Sequence, residues 1–479
     1  MLRRTKIVAT VGPATDDLGL LTEMMRAGLD LVRLNASHGN VEDRRRRLKL
    51  IREAADKANK CVGVLLDLGG PKIRIEGFRD GKIMLTEGQA FALDTALDPK
   101  AGTIHEVGCA YKDLPKDVTA GDALLLADGQ IVLDVVSVSG TRIETTVRVG
   151  GELSDRKGLN RQGGGISAPA LSDKDREDIR FAAEEKIDYV AVSFARDAAD
   201  IELARSLVRQ AGGDARIVAK IERHEAVANL SGIIEAADVV MVARGDLGVE
   251  MGYAELTGLQ KTIIHQTRSR NRVVITATQM MESMIQNPIP TRAEVSDVAN
   301  AVMDGTDAVM LSAETATGRY PLRAVEAMAQ VIEGAEKYQL THTRSRHRVE
   351  GQFRGTEEAI AMAVMYTANH MKVGAIVALT ESGATPLWMS RIRSDIPIYA
   401  FTRHEATRRR VTIYRGVYPV IFDVTSSIST EGLYRALFTR LLELQLVKRN
   451  DLVILTKGEL SGVQGGTNSM QILKVALDP

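Results

Sequence analysis

Three stretches decide the fold: Ile217-Val-Ala-Lys-Ile-Glu222, Val239-Val-Met-Val-Ala-Arg-Gly-Asp246 and Val273-Val-Ile-Thr-Ala-Thr-Gln279. Each is a short, nearly continuous apolar run that turns polar at its C-terminal end, and a helical pattern follows it. A strand that is apolar on both faces is buried on both, which belongs to a parallel sheet with helices outside. Working outward, the same unit recurs. The full set is Lys6–Thr10, Leu29–Leu34, Val62–Asp67, Tyr189–Ser193, Ile217–Ile221, Val239–Ala243, Val273–Ala277 and Ala308–Leu311. Eight strand–helix units close naturally into a (β/α)8 barrel. Helix starts are marked by Thr291 with Glu294, which reads as a capping box, and by Ser172 with Asp175.

The third and fourth runs stand far apart, too far for a loop. Between them the pattern alternates, at Lys82–Leu85, Ala123–Leu126, Ile131–Val138 and Arg142–Val149, with turns at Asp128-Gly129 and Ser139-Gly140. This predicts a small β-barrel domain over 72–168, inserted at the C-terminal end of a barrel strand, where barrel enzymes hold their sites. A lid is its expected role. The barrel then takes 1–71 and 169–340. After a polar, basic linker at Thr341–Gly355 a separate open α/β domain fills 341–479, with a helix over Glu357–Met371 and strands at Gly374–Leu379, Pro397–Phe401 and Asp451–Thr456.

Lys+Arg and Asp+Glu are equal at 62 each, which argues against a general nucleic-acid binder. No segment reaches ~18 uninterrupted apolar residues, so no membrane span is expected. The N-terminus lacks the apolar core of a signal peptide. Cys61 and Cys109 show no metal-ligand spacing and read as free thiols in a reducing compartment, which places the chain in the cytoplasm. The run Arg44–Arg47 reads as a solvated helix face. Met280, Met281 and Met284 read as core or interface filler, Trp388 and Met389 as helix packing, and His224, His265, His370 and His404 as structural or exposed.

The barrel strand ends carry the chemistry. They read Arg33-Leu-Asn35-Ala-Ser37-His38, Asp67-Leu-Gly-Gly-Pro-Lys72-Ile-Arg74, Lys220-Ile-Glu222, Arg244-Gly245-Asp246, Thr276-Ala-Thr278-Gln279 and Ser312-Ala-Glu314-Thr315. Period-two geometry points Lys220 and Glu222 the same way, into the barrel mouth. Glu222 with Asp246 of the neighbouring strand end suits one hard divalent cation, Mg²⁺ rather than Zn²⁺; the bland alternative pairs Glu222 with Lys220 or Arg244. Together with Lys220, Arg33 and Arg74, this makes a site for a polyanionic phosphoryl donor, a reaction that needs charge neutralisation and alignment more than covalent help. No Walker or protein-kinase motif is present.

With those residues in hand, the chain resembles the pyruvate kinase family. The resemblance rests on TKIVATVGPAT (5–15), VRLNASHG (32–39), LLDLGGPKIR (65–74), AKIE (219–222), MVARGDLGVE (241–250), TATQMMESM (276–284), PTRAEVSDVANAVMDGTDAVMLSAETATG (290–318) and YRGVYP (414–419). It implies transfer of the phosphoryl group of phosphoenolpyruvate to ADP, giving pyruvate and ATP in the last step of glycolysis, in a homotetramer that needs Mg²⁺, with Mn²⁺ as a substitute. By resemblance, Glu222 and Asp246 bind the metal. Gly245, Asp246 and Thr278 hold the substrate carboxylate. Lys220 and Arg33 stabilise the transferring group, and Pro13, His38, Arg74 and Lys157 surround the nucleotide. Thr278 is similar to the residue tied to protonation of enolpyruvate, with Ser312 and Glu314 behind it; a hydroxyl is a poor acid, so a relay is expected.

Two departures from the family pattern carry expectations. K⁺-requiring members read GPEIR in the third strand motif, with Thr after the Asp; here Asp67 is followed by Leu68 and the motif holds Lys72. The Lys72 ammonium replaces the charge of a bound K⁺, although Asn35, Ser37 and Asp67 remain, so activity without K⁺ is expected. The loop Thr380, Glu381, Ser382, Gly383, Ala384, Thr385 resembles the family's effector phosphate loop, which Lys457, Gly458 and the Gly465–Asn468 stretch would complete. Ala384 replaces a frequent Arg and Glu381 repels a second phosphate, so a sugar monophosphate or nucleotide effector is expected rather than a bisphosphate. Two other readings stand beside this one: a metal-dependent carbon–carbon lyase on a similar barrel, and a non-catalytic metabolite sensor. The lyase would need neither the inserted β-domain nor the Lys220, Arg33 and Arg74 cluster, and a sensor need not keep Lys220, Glu222, Asp246 and Thr278.

Overall fold

The computed structural model describes residues 2–342, 353, 355–423, 429–458 and 466–476. Eight parallel strands close a barrel: β1 Lys6–Thr10, β2 Leu31–Asn35, β3 Gly63–Asp67, β4 Tyr189–Val192, β5 Arg216–Ile221, β6 Val239–Ala243, β7 Val273–Ala277 and β8 Ala308–Leu311. Each pairs with its chain neighbours, and β1 pairs with β8 to complete the ring. Because side chains alternate, one set points to the helices and the other into the barrel. Ile7, Val32, Leu34, Val64 and Leu66 pack outward against helices. Val8, Leu31, Leu65, Tyr189, Met241 and Met310 fill the interior.

Helix starts follow local chemistry. Thr291 accepts from the Glu294 amide while Glu294 reaches back to Thr291, and Ser172 with Asp175 does the same. The arginine run departs from the sequence expectation at its first member. Arg44 is only 2% exposed and pairs with the buried Asp178 at 2.5 Å. Arg45 reaches Glu185, and Arg46 and Arg47 hold Asp16. The run therefore faces neighbouring elements as well as water. Its partners lie far along the chain, so local pattern could not reveal them. Met280, Met281 and Met284 are fully buried in the barrel's outer core.

The insertion leaves after β3. Its strands form a six-stranded sheet and a two-stranded ribbon, Lys82–Leu85 with Gly151–Ser154, around one apolar core that includes Phe91, Leu124, Leu133 and Ile143. Short strands at Ala90–Asp94, Glu106–Gly108 and Leu159–Arg161 add to those read from sequence. The returning chain is tied to the barrel: Arg223 donates to the Ile166 carbonyl (3.0 Å) and Glu225 accepts from the Gly165 amide (2.5 Å).

The C-terminal domain is a five-stranded sheet in the order Val417–Ile421, Ile398–Thr402, Ala375–Leu379, Leu452–Gly458 and Thr467–Lys474, the last antiparallel. Separate apolar clusters cover its two faces. It caps the N-terminal end of the barrel. Ile413 enters the barrel's interior cluster, and Tyr189 donates to the Arg410 carbonyl at 2.6 Å. Most of the Thr341–Gly355 linker lies outside the described residues. Among the described residues no helix is long and apolar enough to cross a membrane.

Candidate active site

The C-terminal mouth of the barrel opens into a cleft of about 130 Å³. Lys220 stands at its centre on β5. Its ammonium donates to Ser193 Oγ at 2.7 Å and lies 2.8 Å from Glu222 Oε1 and 3.4 Å from Asp67 Oδ1. Burial works to lower its pKa, but Asp67 and Glu222 outweigh that and hold it above the usual lysine value. Arg33 on β2 grips the other oxygen of Asp67 through Nε and Nη2, both at 2.7 Å, and donates to Thr10 Oγ1. Burial raises the Asp67 pKa, yet Lys220 and Arg33 more than offset it and keep it below the carboxylate norm. Asp67 thus holds two cations side by side, facing one space.

Glu222 is 1% exposed, and its second oxygen accepts from the Phe194 amide at 2.7 Å. Burial lifts its pKa; Lys220 opposes and the nearby Asp246 adds to the rise. Two carboxylates from neighbouring strand ends that share one cleft make a hard oxygen donor set. That set fits a divalent cation completed by substrate and water. Among the described residues no group of three or more His, Cys, Asp or Glu forms a metal site on its own.

The backbone around these side chains is strained. Phe194, Thr278 and Gln279 take positive φ of 57°, 66° and 52°. For a β-branched residue such as Thr278 this costs free energy, and such positions gather at functional sites. Thr278 Oγ1 accepts from the Gly245 amide at 2.8 Å and donates to the Ala277 carbonyl. Arg244 braces the same turn from below. Its guanidinium donates to the carbonyls of Thr278 (2.8 Å) and Gln279 (3.1 Å) and pairs with Asp297 at 2.7 Å. Gly70 lets the β3 loop approach: it sits at φ +63°, and a Cβ there would lie 2.9 Å from the Ser193 Cβ.

Most residues named from sequence meet in this cleft: Arg33, Asn35, Ser37, His38, Asp67, Leu68, Lys72, Arg74, Lys220, Glu222, Asp246 and Thr278 all line it. Arg74 also donates to the Arg156 carbonyl of the insertion. His38 has its pKa lowered by burial, then by Arg74, Lys72 and Arg33, so it stays neutral near pH 7. Pro13 and Lys157 are exposed and do not line the cleft. Ser312 and Glu314 lie behind it. Glu314 accepts from the amides of Ser312 (2.7 Å) and Met281 (3.1 Å), and Ser312 Oγ is buried with no hydrogen-bond partner. Sequence reasoning missed Ser193 and Phe194. Ser193 carries no charge, so only its place at the end of an apolar run could have marked it.

The loop at 380–385 lies in the other domain. Thr380 Oγ1 accepts from the Gly383 amide, Thr385 bonds Thr467, and Ser382 Oγ accepts from Ala384 at 3.4 Å. Glu381 is held by Arg403 and His404. Gly465 and its neighbours before Gly466 lie outside the described residues.

A barrel whose mouth gathers a buried lysine, two further arginines and a carboxylate pair defines an enzyme that handles a phosphorylated anion with a divalent metal. The barrel-domain model of pyruvate kinase matches residues 2–325, and its alpha/beta-domain model matches 358–473. The chain belongs to the pyruvate kinase family, whose members are metal-dependent phosphotransferases. Pyruvate kinase II of Salmonella typhimurium is 52% identical over 478 residues and 99% of either chain. Pyruvate kinase of Mycobacterium tuberculosis is 40% identical over the whole length of both. The structure also resembles a pyruvate kinase from Cryptosporidium parvum, with a TM-score of 0.90, 34% identity and coverage of 99% of this chain and 96% of that one.

Proposed function

We propose that this chain transfers the phosphoryl group of phosphoenolpyruvate to ADP, forming pyruvate and ATP, as the last step of glycolysis. The observation that carries this reading is Lys220, buried and cationic, facing the same cleft as Arg33 and the Glu222–Asp246 pair. Glu222 and Asp246 would hold Mg²⁺, or Mn²⁺ in its place, and the cation would supply charge neutralisation at the donor's oxygens. A terminal oxygen of ADP attacks phosphorus, the bond from phosphorus to the enol oxygen breaks, and that oxygen keeps the electron pair. Lys220 and Arg33 counter the charge on the moving group. Thr278 and the Gly245 and Asp246 amides orient the carboxylate. His38, Arg74, Pro13 and Lys157 serve the nucleotide, the last two after the insertion closes as a lid.

Enolpyruvate must then gain a proton at carbon. Thr278 relays it, with Ser312 Oγ and Glu314 behind; burial raises the Glu314 pKa, and the Ser312 and Met281 amides oppose the rise. Lys72, on the cleft wall beside Asp67, Asn35 and Ser37, replaces K⁺. The 380–385 loop takes a sugar monophosphate or nucleotide effector, with Glu381 disfavouring a second phosphate. The working form is a cytoplasmic homotetramer.

The test is pyruvate formation from phosphoenolpyruvate, ADP and Mg²⁺, with and without K⁺, for wild type and Lys220→Met. Wild type turns over in both salts and the variant loses at least about a thousandfold. No pyruvate from wild type under any salt would overturn the assignment. A variant within tenfold of wild type would remove Lys220 from the chemistry.

A further inference from the structure

At the opposite end of the barrel a second, small cavity lies between the barrel and the C-terminal domain. Arg4 and Arg268 come to it from the barrel, Arg393 and Arg415 from the other domain. Two carboxylates that act on this cluster, Asp307 and Glu336, are already engaged. Asp307 is clamped by both terminal nitrogens of Arg391 and accepts from the Val274 amide. Glu336, wholly buried, accepts from the Arg4 and Thr5 amides and lies 3.6 Å from both the Arg4 and Arg415 guanidinium groups.

Among the described residues Arg268 has no carboxylate of its own, and its guanidinium donates to the carbonyls of Gly305 and Arg391. Burial depresses its pKa to about 9, Arg391 adds to this, Asp307 opposes, and Arg415 and Arg393 reinforce. Burial likewise brings Arg415 down to about 10, with Arg4 among the contributors. Arg4 Nε is buried without a hydrogen-bond partner. An arginine stays charged at neutral pH, so a crowd of guanidinium groups, with Arg4 and Arg415 buried and Arg268 and Arg393 half-buried, is relieved by a counter-ion rather than by deprotonation. Their planar forks match the oxygens of a tetrahedral anion. The rest of the wall is mixed, with Met365, Ile392, Ile396 and Ile398 beside Ser390 and Ser394. No aromatic side chain is among the lining residues to stack a base, so the cavity suits a small anion.

We infer that this interdomain cavity is a binding site for a small doubly charged oxyanion of the phosphate and sulfate class, held by Arg268 and Arg4 on one side and Arg393 and Arg415 on the other. It is separate from the barrel mouth and from the 380–385 loop. An occupant bridges the two domains, so it stabilises their contact by mass action.

Crystals of the full chain soaked in selenate, located by its anomalous signal, decide the matter. A peak within hydrogen-bond reach of Arg268 and of Arg393 or Arg415 is expected. A cavity holding only water or chloride overturns the inference. In solution, inorganic phosphate at constant ionic strength raises the melting temperature of wild type, with the barrel mouth saturated by phosphoenolpyruvate and Mg²⁺ in the absence of nucleotide. Arg268→Gln weakens the phosphate affinity read from that shift at least about tenfold. Equal affinity in the two proteins also overturns it. Should Arg268→Gln fail to fold, the selenate soak on wild type still decides.

Discussion

Arg244 is not a candidate to touch substrate, yet its replacement should cripple turnover. The change is Arg244→Met, which keeps much of the side chain's bulk and removes the fork. The guanidinium side chain is 7% exposed and satisfies the Thr278 and Gln279 carbonyls together with Asp297. Each buried group left unsatisfied costs about 1–3 kcal/mol. Thr278 and Gln279 sit at positive φ, which stores about 1–3 kcal/mol per residue unless the surroundings enforce it. One lost carbonyl bond and one relaxed residue together amount to about 2–6 kcal/mol of misplacement at Thr278. At 1.36 kcal/mol per tenfold, turnover falls at least about 30-fold. The assay is steady-state pyruvate formation at saturating substrates, with KM for ADP measured alongside. The loss belongs in kcat, and KM for ADP stays within about threefold, because Arg244 is absent from the nucleotide side of the cleft. Arg244→Lys keeps the charge near Asp297 and one carbonyl, so it recovers part of the rate. A variant whose melting temperature drops while kcat stays within threefold of wild type would refute the reasoning and leave Arg244 with a structural role alone.

Three further outcomes follow from the same geometry. Burial pushes the Glu250 pKa up to about 7 beside the insertion's root, with the His224 amide and Arg223 opposing. Between about pH 4.5 and 7 the folded chain therefore holds a proton that the unfolded chain has released, so stability falls as pH rises through that window and the penalty is complete above it. Glu250→Gln should raise the melting temperature at pH 8, by an amount on the order of 3 kcal/mol at most, and change it little at pH 5; an equal gain at both would contradict the linkage. Lys72→Glu should make activity rise at least about tenfold on adding K⁺, while wild type changes no more than a few-fold when K⁺ is exchanged for a bulky organic cation; a wild type that collapses in that exchange would show the lysine does not stand in for the ion. Glu222→Gln should weaken Mn²⁺ binding at least about tenfold, read from the electron paramagnetic resonance signal of free Mn²⁺. Unchanged affinity would move the metal elsewhere.

Much of the barrel was legible because each strand is buried on both faces and so reads as an unbroken apolar run. β1, β6, β7 and β8 lie where the sequence places them. The misread edges have local causes. β2 begins at Leu31, not Leu29, because Gly28 ends the preceding helix at φ +124° and the Leu29 amide still bonds Met24. β4 stops at Val192 because Phe194 turns to positive φ. In the C-terminal domain, Val417–Ile421 contains Pro419, and Thr467–Lys474 is a half-exposed antiparallel edge. Neither gives a clean apolar run.

The sequence by itself determined the layered plan, the polar strand ends and the residue types a phosphoryl site needs, because periodicity and composition act over a few residues. Tertiary structure alone decided which charges meet. Arg33 and Lys220 share Asp67, Ser193 supports Lys220, Arg44 leaves the solvent for Asp178, and Arg268 comes up against Arg391, Arg393 and Arg415. Those pairings join residues far apart along the chain. They exist only once the barrel has closed and the C-terminal domain has docked against its base, because burial then fixes which partner each charge can reach.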